Sequence, residues 1–248
     1  MAVTGLVLLS SQMALQRSVD IIANNIANSS TTGFKREGIA FDTALKHAGG
    51  GGAMGSTSYV YDKATYRDSS PGTISTTGNP LDFAIQGPGY FQIQTPQGVQ
   101  YTRDGAFRTN AQGQLVTSTG MPVLDTAQQP IAFPDDAKNI TISGDGFVTA
   151  QSGTGATRAQ LGKISVVTFA DDQQVVPAGG DLLTTTQAPI PVTTNPLVQG
   201  AIEESNVKPI SEITDLIAVQ RAYEQSTNIV GNDNTRLTNA INVLSQVS

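Results

Sequence analysis

A seven-residue repeat of apolar side chains close to the end of the chain constrains its fold more than any other feature. Every seventh residue of this repeat is apolar or aromatic, at Leu216, Tyr223, Val230, Leu237 and Leu244. A second row, three residues earlier in each repeat, contains Ile213, Gln220, Thr227, Asn234 and Ile241. Such heptads are typical of a long helix that packs along a partner helix. We predict one helix over residues 210–247, with Ser211 as its N-cap.

The second heptad row is polar in its middle, at Gln220, Thr227 and Asn234. These side chains are either solvated or in contact with a neighbouring helix. Their seven-residue spacing beside an apolar row favours contact. Polar residues at such positions lower stability, but they determine the register and the number of helices that pack together.

An apolar stripe at the start of the chain predicts a second helix, over residues 6–28. Its members follow steps of three and four residues, apart from one gap at Gln12, and they are Leu8, Leu15, Val19, Ile22 and Ile26. So narrow a stripe suits a coiled-coil partner. Residues 28–33 then end the helix, because Asn, Ser and Thr side chains compete for backbone hydrogen bonds. Gly33 at positive φ, with Phe34 as an apolar anchor, is the predicted C-cap.

Three asparagines, Asn24, Asn25 and Asn28, fall on the polar side of the first predicted helix or at its end. One interpretation is that they are solvated amides. The other is that they hydrogen-bond to neighbouring helices and set a register that apolar packing alone leaves free to slide.

The middle of the chain has the pattern of a β domain. Strand-like segments occupy residues 82–86, 90–94, 114–117, 139–142 and 163–169, and turn signals include Gln97-Gly98, Asp104-Gly105, Gln112-Gly113 and Asp145-Gly146. Many short strands without a long helix between them indicate an all-β module. We therefore predict a mixed α and β fold, in which the N- and C-terminal α-helices pair as a coiled coil and an all-β domain is inserted between them.

The predicted domain boundaries follow from these segments. Residues 1–33 contain the N-terminal helix, 34–74 a connector with a glycine-rich loop at 49–55, 75–198 the inserted β domain, and 199–248 the C-terminal connector and long helix. Neither helix can bury a narrow stripe in water by itself. We therefore expect the two ends to pair with each other and then with neighbouring chains.

The composition argues against an enzyme and against a nucleic-acid-binding protein. The chain has no Cys, and His47 is its only His, beside a run of glycines. Thiolate chemistry is therefore excluded, and a positioned histidine base is disfavoured. The net charge of −6 disfavours binding to phosphates. Asp82 and Asp104 invite an acid–base interpretation, but no pair of sugar-binding aromatic residues accompanies them.

We predict no catalytic residue, cofactor, metal ion, nucleic-acid partner or small-molecule substrate. The segment Arg103-Asp104-Gly105 is read as a hairpin turn with Asp-Gly at its tip. The start of the chain also lacks the pattern of a cleaved signal peptide, because the first basic residue, Arg17, follows the short apolar run at residues 6–9. If the protein is exported, we expect a route that leaves its N-terminus attached.

Three parts of the chain resemble the flagellar rod and hook family of axial proteins. Near the start, residues 23–28 read A-N-N-I-A-N and residues 31–35 read T-T-G-F-K. In the middle, the similar segments are Gly87-Pro88-Gly89-Tyr90-Phe91, residues 101–107 and residues 113–116. Near the end, they are residues 199–207 and residues 220–224.

This resemblance implies a structural subunit of the bacterial flagellar basal-body rod, which polymerises through its terminal helices into a torque-transmitting shaft in the periplasm. The implied partners are copies of itself, the proximal and distal rod proteins, and the flagellar type III export apparatus. The length of the chain favours the proximal type of subunit. A distal rod subunit, a hook subunit and, more remotely, a secreted β-rich adhesin or fibre protein are the alternatives. An adhesin would not require heptads at both ends.

The predicted assembly interface combines residues from both ends of the chain. In the N-terminal segment they are Leu8, Leu15, Val19, Ile22, Asn24, Asn25, Ile26, Asn28, Gly33 and Phe34. In the C-terminal segment they are Ile213, Leu216, Gln220, Tyr223, Thr227, Val230, Asn234, Leu237, Ile241 and Leu244. Because each stripe needs a partner, we expect both segments to be disordered or marginally stable before assembly.

Overall fold

The computed structural model describes residues 2–46, 57–134, 137–152, 158–192 and 197–246. His47 and the glycine-rich loop predicted at residues 49–55 lie outside the described residues. The chain divides into two compact units. The helical unit contains residues 1–27, 37–68 and 208–248, and the β unit contains residues 28–36 and 69–207.

Two helices and a hairpin form the helical unit. The helices are α1, Ala2–Ala27, and α2, Pro209–Gln246, and the strands are β1, Glu37–Lys46, and β2, Thr57–Arg67. The strands pair antiparallel, with Glu37 opposite Arg67 and a register shift after Ala40. Helix α1 contacts α2 and both strands. The two terminal helices confirm the prediction, whereas β1 lies in a segment for which the sequence predicted only a connector.

The helix ends require two corrections. Helix α2 begins at Pro209, whose fixed φ and missing N–H suit the first helical position. The Glu212 N–H donates to the Lys208 carbonyl at 3.1 Å, so Ser211 lies within the first turn and is not the N-cap. Helix α1 ends at Ala27, well before Gly33. In the described part of the chain, neither helix combines the length and apolarity that a membrane span requires.

The described part of the β unit contains fifteen short strands and one 3₁₀ turn, Asp172–Gln174. The first eight strands are β3 Ile74–Thr76, β4 Phe83–Ile85, β5 Tyr90–Thr95, β6 Gly98–Thr102, β7 Arg108–Thr109, β8 Leu115–Val116, β9 Ala137–Ile142 and β10 Phe147–Ser152. The others are β11 Arg158–Lys163, β12 Val166–Thr168, β13 Val176–Gly179, β14 Leu182–Thr184, β15 Ile190–Pro191, β16 Leu197–Gln199 and β17 Ala201–Glu203. The β-rich middle of the chain is thus confirmed.

A six-stranded antiparallel sheet with the order β13-β14-β6-β5-β12-β15 is the largest of the β unit. A three-stranded sheet has the order β11-β10-β9. Shorter antiparallel pairs join β16 to β4, β17 to β3 and β7 to β8. Strand β17, which precedes the C-terminal helix, is therefore part of the β unit and pairs with its first strand.

Both faces of the six-stranded sheet are covered by apolar side chains. Tyr90 and Phe91 on β5 belong to two different apolar clusters, and so do Val167 and Val166 on β12. This alternation arises because successive side chains of a strand point to opposite faces. In the larger cluster, Phe91 packs edge-to-face against Phe107, with ring centroids 5.1 Å apart. These clusters give the β unit a core of its own.

The compact units divide the chain differently from the predicted domains. Residues 28–36 belong to the β unit, although the predicted boundary lies at residue 33. Residues 37–68, predicted as part of a connector, belong to the helical unit. The difference arises because periodicity identifies an element, whereas the contacts around that element decide which body it joins.

Candidate functional site

Helix α2 has an inner side that packs within the helical unit. Buried or partly buried residues along it follow steps of four and three, at Glu212, Leu216, Val219, Ala222, Ser226 and Val230. This spacing places them on one side of a helix. Asn25 of α1 donates from Nδ2 to Glu212 Oε2 at 3.2 Å, so this side faces α1.

The opposite side of α2 carries exposed apolar residues. We call Ile210, Ile213 and Ile217 the outer stripe; 82%, 47% and 45% of their surfaces are exposed. On α1, Leu9 and Met13 are exposed and lie four residues apart, on one side of that helix. Contiguous apolar residues on a helix surface mark a place where another apolar surface binds. The candidate assembly site is therefore the outward side of both terminal helices.

The structure separates the two predicted heptad rows of α2. In the first row, Leu216 and Val230 lie on the inner side, although 37% of Tyr223 is exposed. The second-row residues whose side chains are described are exposed: Ile213, Gln220 and Thr227. Thr227 Oγ1 accepts a hydrogen bond from Gln12 Nε2 of α1 at 3.3 Å. Four further predicted positions belong to α2, but their side chains are not among those that the structure describes: Asn234, Leu237, Ile241 and Leu244. The rows separate because α1 covers one side of α2.

The predicted stripe of α1 lies largely on its packed side. Ile22 is buried, and the partly buried members are Leu15, Val19 and Ile26. The side chain of Leu8 is not among those that the structure describes. Ile21, which is not a member of the predicted stripe, is also buried. The packed side is wider than a two-helix seam because α1 contacts β1 and β2 as well as α2.

Asn25 is fully buried, which corrects its placement on the polar side of the helix. Its Oδ1 accepts from the Glu37 N–H at 2.9 Å, and its Nδ2 donates to the Glu37 carbonyl at 2.8 Å. With its bond to Glu212, this one amide ties α1 to both β1 and α2. Asn24 is exposed, and Asn28 is partly buried and accepts a hydrogen bond from Thr31 Oγ1 at 3.2 Å.

Gly33 does not cap α1. It has a positive φ of 69°, as predicted, but the helix ends six residues earlier, and Gly33 instead occupies a turn in which the Phe34 N–H bonds to the Thr31 carbonyl. Its own N–H donates to the Glu203 carbonyl at 2.8 Å. Phe34 is partly buried. This turn therefore belongs to the β unit.

A buried ion cluster holds this turn in the β unit. Glu203 is 2% exposed, and its carboxylate accepts from Lys35 Nζ at 2.6 Å and from Arg103 Nε at 2.5 Å. The Gly72 N–H donates to the same carboxylate at 2.9 Å. Burial raises the pKa of Glu203, but the charges of Arg103 and Lys35 and these hydrogen bonds outweigh it, so the pKa lies below its usual value. The carboxylate is thus ionised at neutral pH.

Arg103 is buried as well. The predicted hairpin turn at residues 103–105 is wrong, because the strands on either side of it, β6 and β7, do not pair with each other. The Arg103 guanidinium donates to the carbonyls of Ile85, Gly87 and Gly89 in addition to the Glu203 carboxylate. A planar group with several fixed donors suits such a site. No local pattern predicts Lys35, Arg103 and Glu203 as a set, because they are distant in sequence and no periodicity links them.

Asp82 and Asp104 have structural hydrogen bonds. Asp82 accepts from Thr77 Oγ1 at 2.6 Å and from Asn79 Nδ2 at 2.8 Å. Asp104 accepts from Thr32 Oγ1 and from the Ala106 N–H. Burial raises the pKa of Asp104 and the negative charge of Asp82 adds to this, while the two hydrogen bonds oppose it. Both carboxyl groups are engaged in holding turns of the β unit.

A cavity of about 200 Å³ lies beside the ion cluster, with Lys35, Arg103, Tyr90 and residues 87–89 in its wall. Cavities that bind small molecules have volumes of about 300–1,000 Å³. The two cationic groups in its wall already pair with Glu203. Among the described residues, no three His, Cys, Asp or Glu side chains come together in a group that suits a metal ion.

Family models match three segments of the chain. Residues 6–35 match the model described as flagella basal body rod protein, and residues 84–150 match the flagellar hook protein FlgE/F/G D1 domain. Residues 198–243 match the flagellar basal body rod FlgEFG protein C-terminal model.

Individual proteins are similar over most of the chain. A flagellar basal-body rod protein FlgF from Caulobacter vibrioides is 42% identical over 228 residues, which cover 90% of each chain. A FlgF from Mesorhizobium japonicum is 39% identical, with 89% of this chain and 88% of the relative covered. A flagellar basal-body rod protein FlgG from Agrobacterium fabrum is 37% identical, with 88% of this chain and 90% of the relative covered.

Proposed function

This chain belongs to the flagellar basal-body rod protein family, and from that membership we propose that it is a rod subunit of the proximal, FlgF type. It is a structural protein of the flagellar basal body and not an enzyme. The two FlgF relatives share 42% and 39% of their aligned residues with it, against 37% for the FlgG relative. This difference favours the FlgF type over the distal, FlgG type.

The proposed assembly surface is the outward side of α1 and α2, and the outer stripe of α2 is the observation that carries the proposal. Burying a fully exposed isoleucine contributes roughly 1.5–3 kcal/mol. Ile210 approaches this case, whereas Ile213 and Ile217 gain less because about half of each is already covered. The inner side of α2 is already covered by α1. A copy that binds the outer stripe through a different part of its surface leaves its own outer stripe open. Such heterologous contacts extend into a helical array and do not close as a dimer.

We further propose that α1 and α2 pair as a coiled coil in the assembled rod. Their contact in the single chain and the hydrogen bonds of Asn25 support this pairing. The predicted positions Asn234, Leu237, Ile241 and Leu244 extend along the part of α2 beyond the partly buried Val230. In this proposal they pack against neighbouring subunits in the rod.

The proposed partners are copies of this chain and the other proximal and distal rod subunits. We propose that the flagellar type III apparatus exports the chain without cleaving a signal peptide and that it assembles in the periplasm. The helical unit has few fully buried apolar side chains among its described residues. This supports the route, because segments that need a partner to fold stay unfolded more readily before assembly.

Electron microscopy of basal bodies from cells that lack this protein tests the proposal. We expect a rod interrupted near its base, which restoring the gene repairs. A rod that lacks its outer length instead would identify the distal type. An intact rod of normal length in motile cells would refute a role as a rod subunit.

A further inference from the structure

The chain passes between the β unit and the helical unit at four points, and residues next to three of them come together inside the β unit. The chain leaves the β unit after residue 36, returns at residue 69 and leaves again after residue 207. Arg36, Ser70 and Asn206 lie at these three points. We refer to these three residues as the junction.

The side chain of Asn206 bonds to both other members of the junction. Its Oδ1 accepts from the Arg36 N–H at 2.7 Å. Its Nδ2 donates to the Ser70 carbonyl at 3.1 Å and is 3.2 Å from Ser70 Oγ. An amide has one acceptor and one donor group on the same rigid plane, so it fixes the two bonded segments relative to each other. The Asn206 N–H also donates to the Phe34 carbonyl, at 3.4 Å.

The ion cluster connects the same three segments a second time. Lys35, adjacent to Arg36, donates from Nζ to the Ser70 carbonyl at 2.8 Å and to Glu203. Glu203 accepts in turn from the Gly72 N–H. Residues 34–36, 70–72 and 203–206 are therefore bonded to one another through two sets of side chains.

We propose that Asn206 is a positioning residue that unites three chain connections into one stiff junction. Connections between compact units are ordinarily the parts of a chain where few contacts restrict the backbone. Here Arg36 and Ser70 are both hydrogen-bonded to the side chain of Asn206, so a displacement of one of the three connections also moves the other two. This property belongs to the single chain. It goes beyond the proposed function, which depends on the outward sides of the helices.

Amide hydrogen exchange of the full-length purified chain tests the proposal. We expect Asn206→Ala to accelerate exchange about tenfold in residues 34–37, 69–73 and 203–207 together, because each loses a bond to the junction. Exchange in β5 and β8 stays as in the wild type. Asn110→Ala is a matched control, because Asn110 also makes three hydrogen bonds in the β unit, to Gln112 and Gln114, away from the chain connections.

A second variant separates positioning from a general loss of stability. Asn206→Asp retains an acceptor for the Arg36 N–H but has no donor for Ser70, so we expect faster exchange at residues 69–73 and a protected Arg36 amide. If Asn206→Ala fails to fold, as judged by circular dichroism, this difference carries the test. Acceleration confined to residues 203–207, or equal acceleration at the junction in Asn110→Ala, would overturn the proposal. Neither result bears on rod assembly in cells.

Discussion

At the scale of single residues, two glycines with almost the same backbone conformation show how closely the β unit is packed around the turn at Gly33. Gly33 has a φ of 69° and Gly78 a φ of 75°. A Cβ on Gly33 would lie 2.5 Å from the carbonyl carbon of Arg103. A Cβ on Gly78 would meet nothing within 4 Å. A side chain at either position would therefore strain the backbone, but only at Gly33 would it also collide with neighbouring atoms.

Replacing each glycine by alanine separates these two effects. We expect Gly78→Ala to lower the free energy of unfolding by about 1–2 kcal/mol, the cost of a left-handed conformation for a residue with a Cβ. Gly33→Ala should cost about 1–3 kcal/mol more, because residues 28–36 must also shift away from Arg103. Urea unfolding of both variants measures the difference. Equal costs would show that the close approach at Gly33 does not constrain the fold.

Glu203 provides a second test at the residue scale. Glu203→Gln leaves Lys35 and Arg103 beside a neutral amide, and removing one partner of a buried ion pair costs about 3–5 kcal/mol. Glu204→Gln, at the exposed neighbouring residue, is the matched control and should cost less than about 0.5 kcal/mol. Thermal unfolding at pH 7 measures both variants.

The pH dependence of stability reports the same carboxylate. The pKa of Glu203 in the folded protein lies below the usual value of a glutamate side chain. A carboxyl group with a lowered pKa contributes its full stability above the unfolded value, and this contribution is lost as the pH falls through the folded value. The wild-type free energy of unfolding should therefore decrease as the pH falls below about 4.5, and less steeply in Glu203→Gln. Identical slopes would contradict this role of Glu203.

At the scale of elements, the two sides of α2 differ in burial, and the proposed function gives them different roles. Ile213→Asp changes an exposed residue of the outer stripe, so we expect it to leave the unfolding free energy within about 0.5 kcal/mol and to prevent rod assembly. Val219→Asp places a charge on the inner side and should destabilise the chain by more than about 2 kcal/mol. Gln225→Asp, at an exposed polar position, should preserve both stability and assembly.

Two measurements distinguish these variants: circular dichroism of the purified chains and electron microscopy of basal bodies from cells that produce them. Normal rods built from Ile213→Asp would exclude the outer stripe from the assembly surface. A folded Val219→Asp chain of wild-type stability would show that the inner side does not hold the helices together.

At the scale of the whole molecule, the two compact units differ in what stabilises them. The β unit contains a large buried apolar cluster, whereas the helical unit has few fully buried apolar side chains among its described residues. We therefore expect amides of α1 and α2 to exchange faster than those of β5 and β6 in the monomer, and to become protected on assembly. Hydrogen exchange of monomers and assembled material measures this. Equal protection of α2 and β5 in the monomer would contradict it.

The sequence by itself determined the elements and the family. Heptads at residues 213–244 and the stripe at residues 8–26 predicted the two terminal helices, because helical periodicity is a local property of the chain. Alternating strands and glycine turns predicted the β-rich middle for the same reason. The motifs at residues 23–35, 87–116 and 199–224 identified the rod family, which the similarity to FlgF and FlgG proteins confirmed.

Only the tertiary structure decided which side of each helix is covered, and where the segment after α1 lies. Ile213 and Leu216 occupy neighbouring heptad rows, yet one is exposed and the other packed, because the position of α1 selects the side. Gly33 has the positive φ that is typical of a helix C-cap, but its N–H donates to the carbonyl of Glu203 in the β unit. Lys35, Arg103 and Glu203 meet across up to 168 residues of sequence. Such contacts depend on the path of the whole chain, which no local pattern specifies.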